Sequence, residues 1–351
     1  MGERVLGDDE LLRALLARQM LLERTDLTPE RAVEKLAGLQ TQNAPTGYVG
    51  LFSRLSGFAR TDLTDALHSG RVVQAWAMRS TIHMLSPRDY RTFTTAVRAA
   101  QRASWLRVLP DVTDEHAVAA AAVLREYLAD GPRRQAEIAA RLAEEGLPKR
   151  VFPCVQHWVE LVRVPPAGTW ETPRAHVYGL ADTWLRAGSA PDEDAARAEL
   201  VTRYLAAFGP ASVPDVARFP GWNVTETRAV LESLDLRRFR DERGVELVDV
   251  RRAPLPHADT PVPVRFLGPF DAVLLLGHAS RARIVPAEHR EKVFATSMPR
   301  STPTFLVDGR VAGTWSQRDG RVEVTPFGPL TASQQREVDD EAGRLAAWIT
   351  A

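Results

Sequence analysis

Tyr127-Leu128-Ala129-Asp130-Gly131-Pro132, continuing to Ile138-Ala139-Ala140-Arg141-Leu142, returns further along the chain as Tyr204-Leu205-Ala206-Ala207-Phe208-Gly209-Pro210, continuing to Val216-Ala217-Arg218-Phe219. In each copy a helical apolar stripe stops at Gly-Pro, where a helix cannot continue, and a second short helix begins. That order is the opening of a helix-turn-helix unit, in which a third helix does the recognition. Residues 152–162 and 224–234 are the expected third helices. After the second of them, residues 237–250 fold back through Asp241-Glu242-Arg243-Gly244, as a wing would.

N-terminal to the repeat, Leu11, Leu12, Leu15, Leu16, Met20 and Leu21 form one apolar stripe. Thr28-Pro29 opens a helix expected to run toward Leu39, and helical stretches follow at 48–55 and 62–68. Val72-Val73 and Thr81-Ile82 read as strands, which completes a third unit of the same kind. Ser86, Pro87 and Asp89 are a cap, a first-turn proline and a first-turn acid, and they start a long helix reaching about Arg107. C-terminal to the repeat the period changes to two. Residues 264–267 and 272–276 read as strands, and 304–307 turns at Asp308-Gly309 into 310–315, a strong hairpin signal. A second turn at Asp319-Gly320 leads to 321–325, and a helix over 332–349 ends the chain. The expected fold is therefore α+β, mainly α. Three tandem winged helices occupy 1–112, 113–190 and 191–260, with a β-rich domain at 261–351. A chain of 351 residues accommodates that many modules.

Charge separates along the chain although 45 basic and 45 acidic residues cancel. Residues 71–110 carry seven arginines against Asp89 alone, which suits an anionic partner. Only Lys35, Lys149 and Lys292 are lysines; the rest are arginines, whose planar fork matches phosphate. The single cysteine, Cys154, excludes an internal disulfide framework and reads as an inert core thiol. No run approaches the roughly eighteen uncharged apolar residues of a membrane helix. Met1-Gly2-Glu3-Arg4 leads into no signal-peptide core, so a cytoplasmic protein is expected. Phosphate-binding loops, dinucleotide fingerprints, the Gly-x-Ser-x-Gly elbow and His-Glu-x-x-His are all missing.

Four further segments, in order, carry a resemblance to a known family. They are Leu39-Gln40-Thr41-Gln42-Asn43-Ala44-Pro45, Arg79-Ser80-Thr81-Ile82-His83-Met84-Leu85, Pro269-Phe270-Asp271 through His278-Ala279-Ser280-Arg281-Ala282-Arg283, and Phe305-Leu306-Val307-Asp308-Gly309-Arg310-Val311-Ala312-Gly313-Thr314-Trp315. With them the chain resembles the winged-helix DNA glycosylases of the AlkZ and YcaQ type. The resemblance implies three winged helices around a C-shaped channel, with the hairpin at 304–315 reaching the minor groove. It also implies a signature of Gln, an aliphatic residue and Gln in the branch that unhooks bulky lesions. Gln40 and Gln42 match that signature as the catalytic pair, while Thr41 departs from its middle. Asn43, Arg79, His83, Arg98, Arg102, Arg281, Arg283 and Arg310 are the expected DNA contacts. His83 and His278 can each also be read as structural, and Trp315 as sheet packing.

Glutamine has no useful pKa and cannot serve as a general acid or base. Its substrate must need little proton transfer. An N7-alkylated guanine meets that condition, because it already carries positive charge and departs as a neutral base. Two amide oxygens then suffice to orient water and face the sugar cation. The expected activity is hydrolysis of N-glycosidic bonds in double-stranded DNA bearing bulky alkyl lesions or interstrand crosslinks, as self-resistance to a genotoxin. Neither a cofactor nor a metal is implied, and a nucleoid-associated monomer is expected. The rival reading is a non-catalytic winged-helix DNA-binding regulator, which ordinarily needs a ligand domain or a dimer helix that the sequence does not offer.

Overall fold

A computed structural model describes residues 4–186, 188–275, 281–294 and 301–351. The chain opens with β1 (Val5–Leu6) and α1 (Asp8–Arg18). It continues through α2 (Pro29–Lys35), β2 (Leu39–Gln40), α3 (Ala44–Phe52), α4 (Arg60–His68), β3 (Val73–Trp76) and β4 (Ile82–Leu85). Helix α5 (Pro87–Val108) leads to α6 (Asp114–Tyr127), β5 (Arg133–Arg134), α7 (Gln135–Glu144), α8 (Val151–Val155), β6 (Leu161–Arg163), β7 (Val177–Leu180) and α9 (Ala181–Trp184). Then come α10 (Glu193–Phe208), α11 (Val213–Arg218), α12 (Val224–Glu232), β8 (Leu236–Asp241) and β9 (Glu246–Val250). The C-terminal part holds β10 (Arg265–Leu267), α13 (Ala272–Leu275), α14 (Arg281–Ile284), α15 (Arg290–Val293), β11 (Thr304–Val307), β12 (Arg310–Arg318), β13 (Arg321–Pro326) and α16 (Ala332–Thr350).

One order recurs: helix, short strand, two helices, hairpin. In each occurrence the short segment pairs with the hairpin's last strand, β2 with β4, β5 with β7, and Ala211 with Val248 of β9. The first two hairpins join edge to edge where Gln74 of β3 meets Arg163 of β6, giving one six-stranded sheet in the order β2-β4-β3-β6-β7-β5. The third hairpin takes β1 as a parallel neighbour instead. The C-terminal sheet runs β10-β11-β12-β13. Helix α5 starts as read, with Ser86 Oγ accepting from the Asp89 amide at 3.2 Å. Its apolar face, including Tyr90, Phe93 and Val97, shares a core with Val73, Ala75 and Leu85 of the sheet and with Leu200 and Tyr204 of α10. Among the described residues no helix is long and apolar enough to cross a membrane.

Three local expectations fail for identifiable reasons. Helix α2 stops at Lys35, because Ala37 and Gly38 take left-handed conformations (φ 55° and 88°) and the Gly38 amide returns to Val33 O at 2.8 Å. A Cβ at Gly38 would lie 2.6 Å from Leu85 Cδ2, so the chain passes under β4 and continues as β2. Residues 152–162 are not one helix: α8 holds Pro153, and strand pairing with β7 claims Leu161–Arg163. Residues 272–275 are helical rather than extended, since Asp271 Oδ1 accepts from the Val273 amide at 3.2 Å. Leu276 and His278 lie outside the described residues.

Candidate active site

The glutamine motif occupies the seam between β2 and α3. Gln40 is directly opposite His83 of β4, so the two side chains leave the same face of the sheet. Thr41 turns inward and is fully buried, and its amide donates to Ile82 O at 2.8 Å. A Cβ on Gly47 of α3 would lie 3.0 Å from Thr41 Cγ2 and 2.6 Å from Met84 Sδ. Only glycine lets α3 approach this closely. Gln42 and Asn43 are exposed; Asn43 stands at the N-cap of α3 but its side chain makes no cap bond. Thr41 Oγ1 and Thr46 Oγ1, on either side of that terminus, are buried without hydrogen-bond partners among the described residues.

Arg79 closes one side of this seam. Its Nη2 donates to Gln40 Oε1 at 3.1 Å and its Nη1 to Phe219 O at 2.7 Å, which links the first unit to the third. The guanidinium also lies 5.9 Å from the Phe219 ring centroid. Burial draws its pKa down to about 10. Arg79 and Ser80 both have φ 53°, a left-handed pair in the β3–β4 turn that costs energy for residues with a Cβ. A polar network holds it. Gln101 Nε2 donates to Ala77 O (2.8 Å), so its Oε1 accepts from Ser80 N (3.1 Å) and Ser80 Oγ (2.7 Å). Trp105 Nε1 donates to Ser80 Oγ at 2.9 Å. His157 Nε2, 3.0 Å away, is left to donate to the same oxygen. Burial holds His157 down at about 4, and the ring is neutral. Sequence reasoning missed Ser80, Gln101, Trp105 and His157, because no spacing marks residues that meet only through the fold.

His83 is buried, 2% exposed, with Nδ1 2.9 Å from Thr81 O. Burial first, and the Arg79 charge second, press its pKa down to about 3. Arg98 is ion-paired with Glu160. Arg102 donates to His157 O at 2.8 Å and lies over the Trp158 ring. With Arg125 they line a cleft of about 440 Å³ that shares His157 with the network above.

The remaining expected contacts are dispersed, and much of the charge at 71–110 is met by other elements. Arg71 pairs with Glu30, and Arg88 with Glu199. Arg283 is not a surface cation: its side chain, 11% exposed, pairs with Asp8 and Asp241. Arg281 lies over Phe294 and lines a second cleft, of about 580 Å³, with Arg218 and Arg290. The hairpin at 304–315 pairs as read, but its turn is not free. A Cβ on Gly309 would lie 2.6 Å from Leu16 of α1, Asp308 pairs with Arg13, and Arg310 pairs with Asp9 at 2.6 Å. The exposed cations sit one hairpin further on, where Arg318 and Arg321 face each other across Asp319-Gly320. Trp315 is buried and donates to Leu267 O, and Cys154 is a buried thiol pushed up to about 11.

The recurring helix–hairpin units thus carry a paired-glutamine seam and two cation-lined clefts. Residues 33–348 match the family described as DNA glycosylase AlkZ-like, and the chain belongs to that family. An "Interstrand DNA cross-link repair glycosylase" from Streptomyces sahachiroi is 26% identical over 360 residues, covering 94% of this chain and 93% of that protein. The solved structure of Streptomyces sahachiroi DNA glycosylase AlkZ has the same fold. Its TM-score is 0.82 at 22% identity, over 97% of this chain and 96% of that one.

Proposed function

We propose that this protein is a monofunctional DNA glycosylase that hydrolyses the N-glycosidic bond of bulky N7-alkylated guanine, interstrand crosslinks included, and thereby protects a cell from a genotoxin. In this reading each recurring unit is a winged helix, the units line a channel for double-stranded DNA, and the enzyme acts as a nucleoid-associated monomer. The observation that carries it is the exposed amide of Gln42, unbonded among the described residues, beside a Gln40 whose oxygen is already oriented by Arg79. Among the described residues no carboxylate hydrogen-bonds to Gln40, Gln42, Asn43, Arg79 or His83. That suits a leaving group which needs no acid. The cross-link repair relative supports the substrate class.

The amide of Gln42 orients water, and its oxygen faces the sugar as positive charge develops. Gln40 supplies the remaining lone pair of Oε1. Asn43 and Arg79 contact the lesion strand, and Arg98, Arg102 and Arg281 hold phosphates, with the Glu160 partner of Arg98 displaced. The minor-groove element is the β12–β13 hairpin: two cations placed directly opposite each other are unfavourable in the free sheet and favourable against a polyanion. Single-turnover release of base from an N7-alkylated or crosslinked duplex tests the reading. Gln42→Ala is expected to slow release about 100-fold, with lesion-duplex affinity nearly unchanged. No base release by the parent protein from any alkylated duplex refutes the assignment.

A further inference from the structure

The proposed reaction has an unassigned proton. Water that attacks C1′ must lose one, and neither glutamine can take it. The structure assigns this role to His83: we infer that its Nε2 is the proton acceptor for the attacking water. The inference rests on the glycosylase reading above.

Geometry fixes the tautomer. Nδ1 lies 2.9 Å from Thr81 O, and a carbonyl oxygen can only accept, so Nδ1 carries the hydrogen. A neutral ring protonated there presents a bare lone pair at Nε2. Among the described residues no donor meets that lone pair, although the side chain is almost wholly buried. His157, the other buried neutral imidazole near this wall, has its Nε2 engaged by Ser80. Nε2 is not among the fully buried, unpartnered atoms of the fold, so this unpaired acceptor beside the glutamine motif keeps access for a water or substrate atom. The strand register brings it there: His83 and Gln40 are cross-strand partners on one face, and Arg79 faces both. With no carboxylate bonded to the motif among the described residues, Nε2 of His83 is a titratable lone pair that the fold places beside Gln40.

The step balances. Water oxygen bonds to C1′ as the C1′–N9 bond breaks, and the bonding pair returns to the cationic purine, which leaves neutral. The water proton passes to Nε2. The resulting imidazolium, disfavoured by burial and by Arg79, returns the proton to solvent.

His83→Asn tests the assignment, since its amide can still donate to Thr81 O while nothing occupies the Nε2 position. The expected result is single-turnover base release about 100-fold slower than the parent, with lesion-duplex Kd within about two-fold. In His83→Ala, added imidazoles of similar size are expected to restore the rate in order of their basicity, which a purely structural role does not produce. A His83→Asn rate within about three-fold of the parent, or rescue independent of basicity, overturns the inference. Should the variants fail to fold, nitrogen NMR of the full-length parent decides: an Nε2-protonated neutral ring overturns it, and an unprotonated Nε2 supports it. A parent that releases no base defeats the glycosylase reading itself. An active parent with an equally active His83→Asn defeats only the role of His83.

Discussion

Gln40 and Arg79 are coupled, and a double-mutant cycle in stability exposes the coupling. Gln40→Ala removes the acceptor 3.1 Å from Nη2 and leaves the guanidinium buried, with Phe219 O as its remaining hydrogen-bond acceptor. A hydrogen bond to a charged group contributes about 1.5–3 kcal/mol, and at 3.1 Å the lower part of that range applies, so the loss is about 2 kcal/mol. Arg79→Ala deletes two such bonds, together about 3–5 kcal/mol. It also relieves the burial that draws the guanidinium down to about 10, a burden of roughly 3 kcal/mol. Its net cost is therefore only about 0–2 kcal/mol. Alanine is the right replacement, because glycine would also release the left-handed strain at φ 53°. On the Arg79→Ala background no charge remains to be stranded, and Gln40→Ala should then cost under about 0.5 kcal/mol. Urea unfolding of the four proteins, followed by tryptophan fluorescence, measures the cycle. Equal costs of Gln40→Ala in the two backgrounds would refute a guanidinium held by this amide.

Other consequences follow from single features. Thr41 Oγ1 is buried without a partner among the described residues, so Thr41→Val should raise stability by about 1–2 kcal/mol; a destabilised variant would mean that the hydroxyl has a hydrogen-bond partner. His83 and His157 stay neutral in the fold at about 3 and about 4, and His176 shifts the same way. Unfolded, each takes up a proton below about pH 6.5, so their contribution is lost as pH falls from 6.5. Asp89, pushed up to about 7 by burial against the pull of Arg203, acts oppositely and is protonated on folding in the same window. The net is a fall of about 1–3 kcal/mol per pH unit between 6.5 and 5, steeper in Asp89→Asn; stability that rises on acidification there would contradict it. Arg318→Ala with Arg321→Ala should flatten the salt dependence of duplex binding by about two phosphate contacts, more than Arg310→Ala, whose charge is partly met by Asp9 in the free protein. The reverse order would return the minor groove to the first hairpin.

Much of this was legible from periodicity. The Gly209-Pro210 break, the Ser86 cap and the Asp308-Gly309 turn each act within a few residues and stand where they are read, while α6 already ends at Tyr127, ahead of Gly131-Pro132. Errors arose where a distant partner decides. Leu39 scans as the end of a helix, yet β4 captures it as a strand. Residues 272–275 are as apolar as a strand, but Asp271 caps them into a helix while its carboxylate is fixed by Arg54. Arg283 looks like a surface cation until Asp8 of α1 meets it, and Arg310 keeps its surface position but pairs with Asp9. Local charge counting could not anticipate this, because the neutralising acids are hundreds of residues away in sequence.

Those pairings also give the arginine bias a physical use beyond DNA. Arg18 engages both oxygens of Asp249 at 2.7 and 3.0 Å and donates further to Leu205 O and Pro254 O, joining α1 to β9. Arg54 takes both oxygens of Asp271 at 2.8 and 2.9 Å and also Gln19 O and Gly50 O. Lysine, a point charge with three donors on one nitrogen, cannot span such a set. Both arginines are almost fully buried, where an incomplete set of partners would leave a charge uncompensated. The second clamp bears on the chemistry. It fixes the end of α3, while Gly268 packs on Thr46 in its first turn and Gly47 seats it on Met84. Helix α3 is thus anchored at its C-terminal end and packed through its first turn, and the exposed Gln42 amide stands just before it. On the proposed reading, the Gln42 amide depends on this packing, since the effect of a neutral dipole on a developing cation falls steeply with distance and angle.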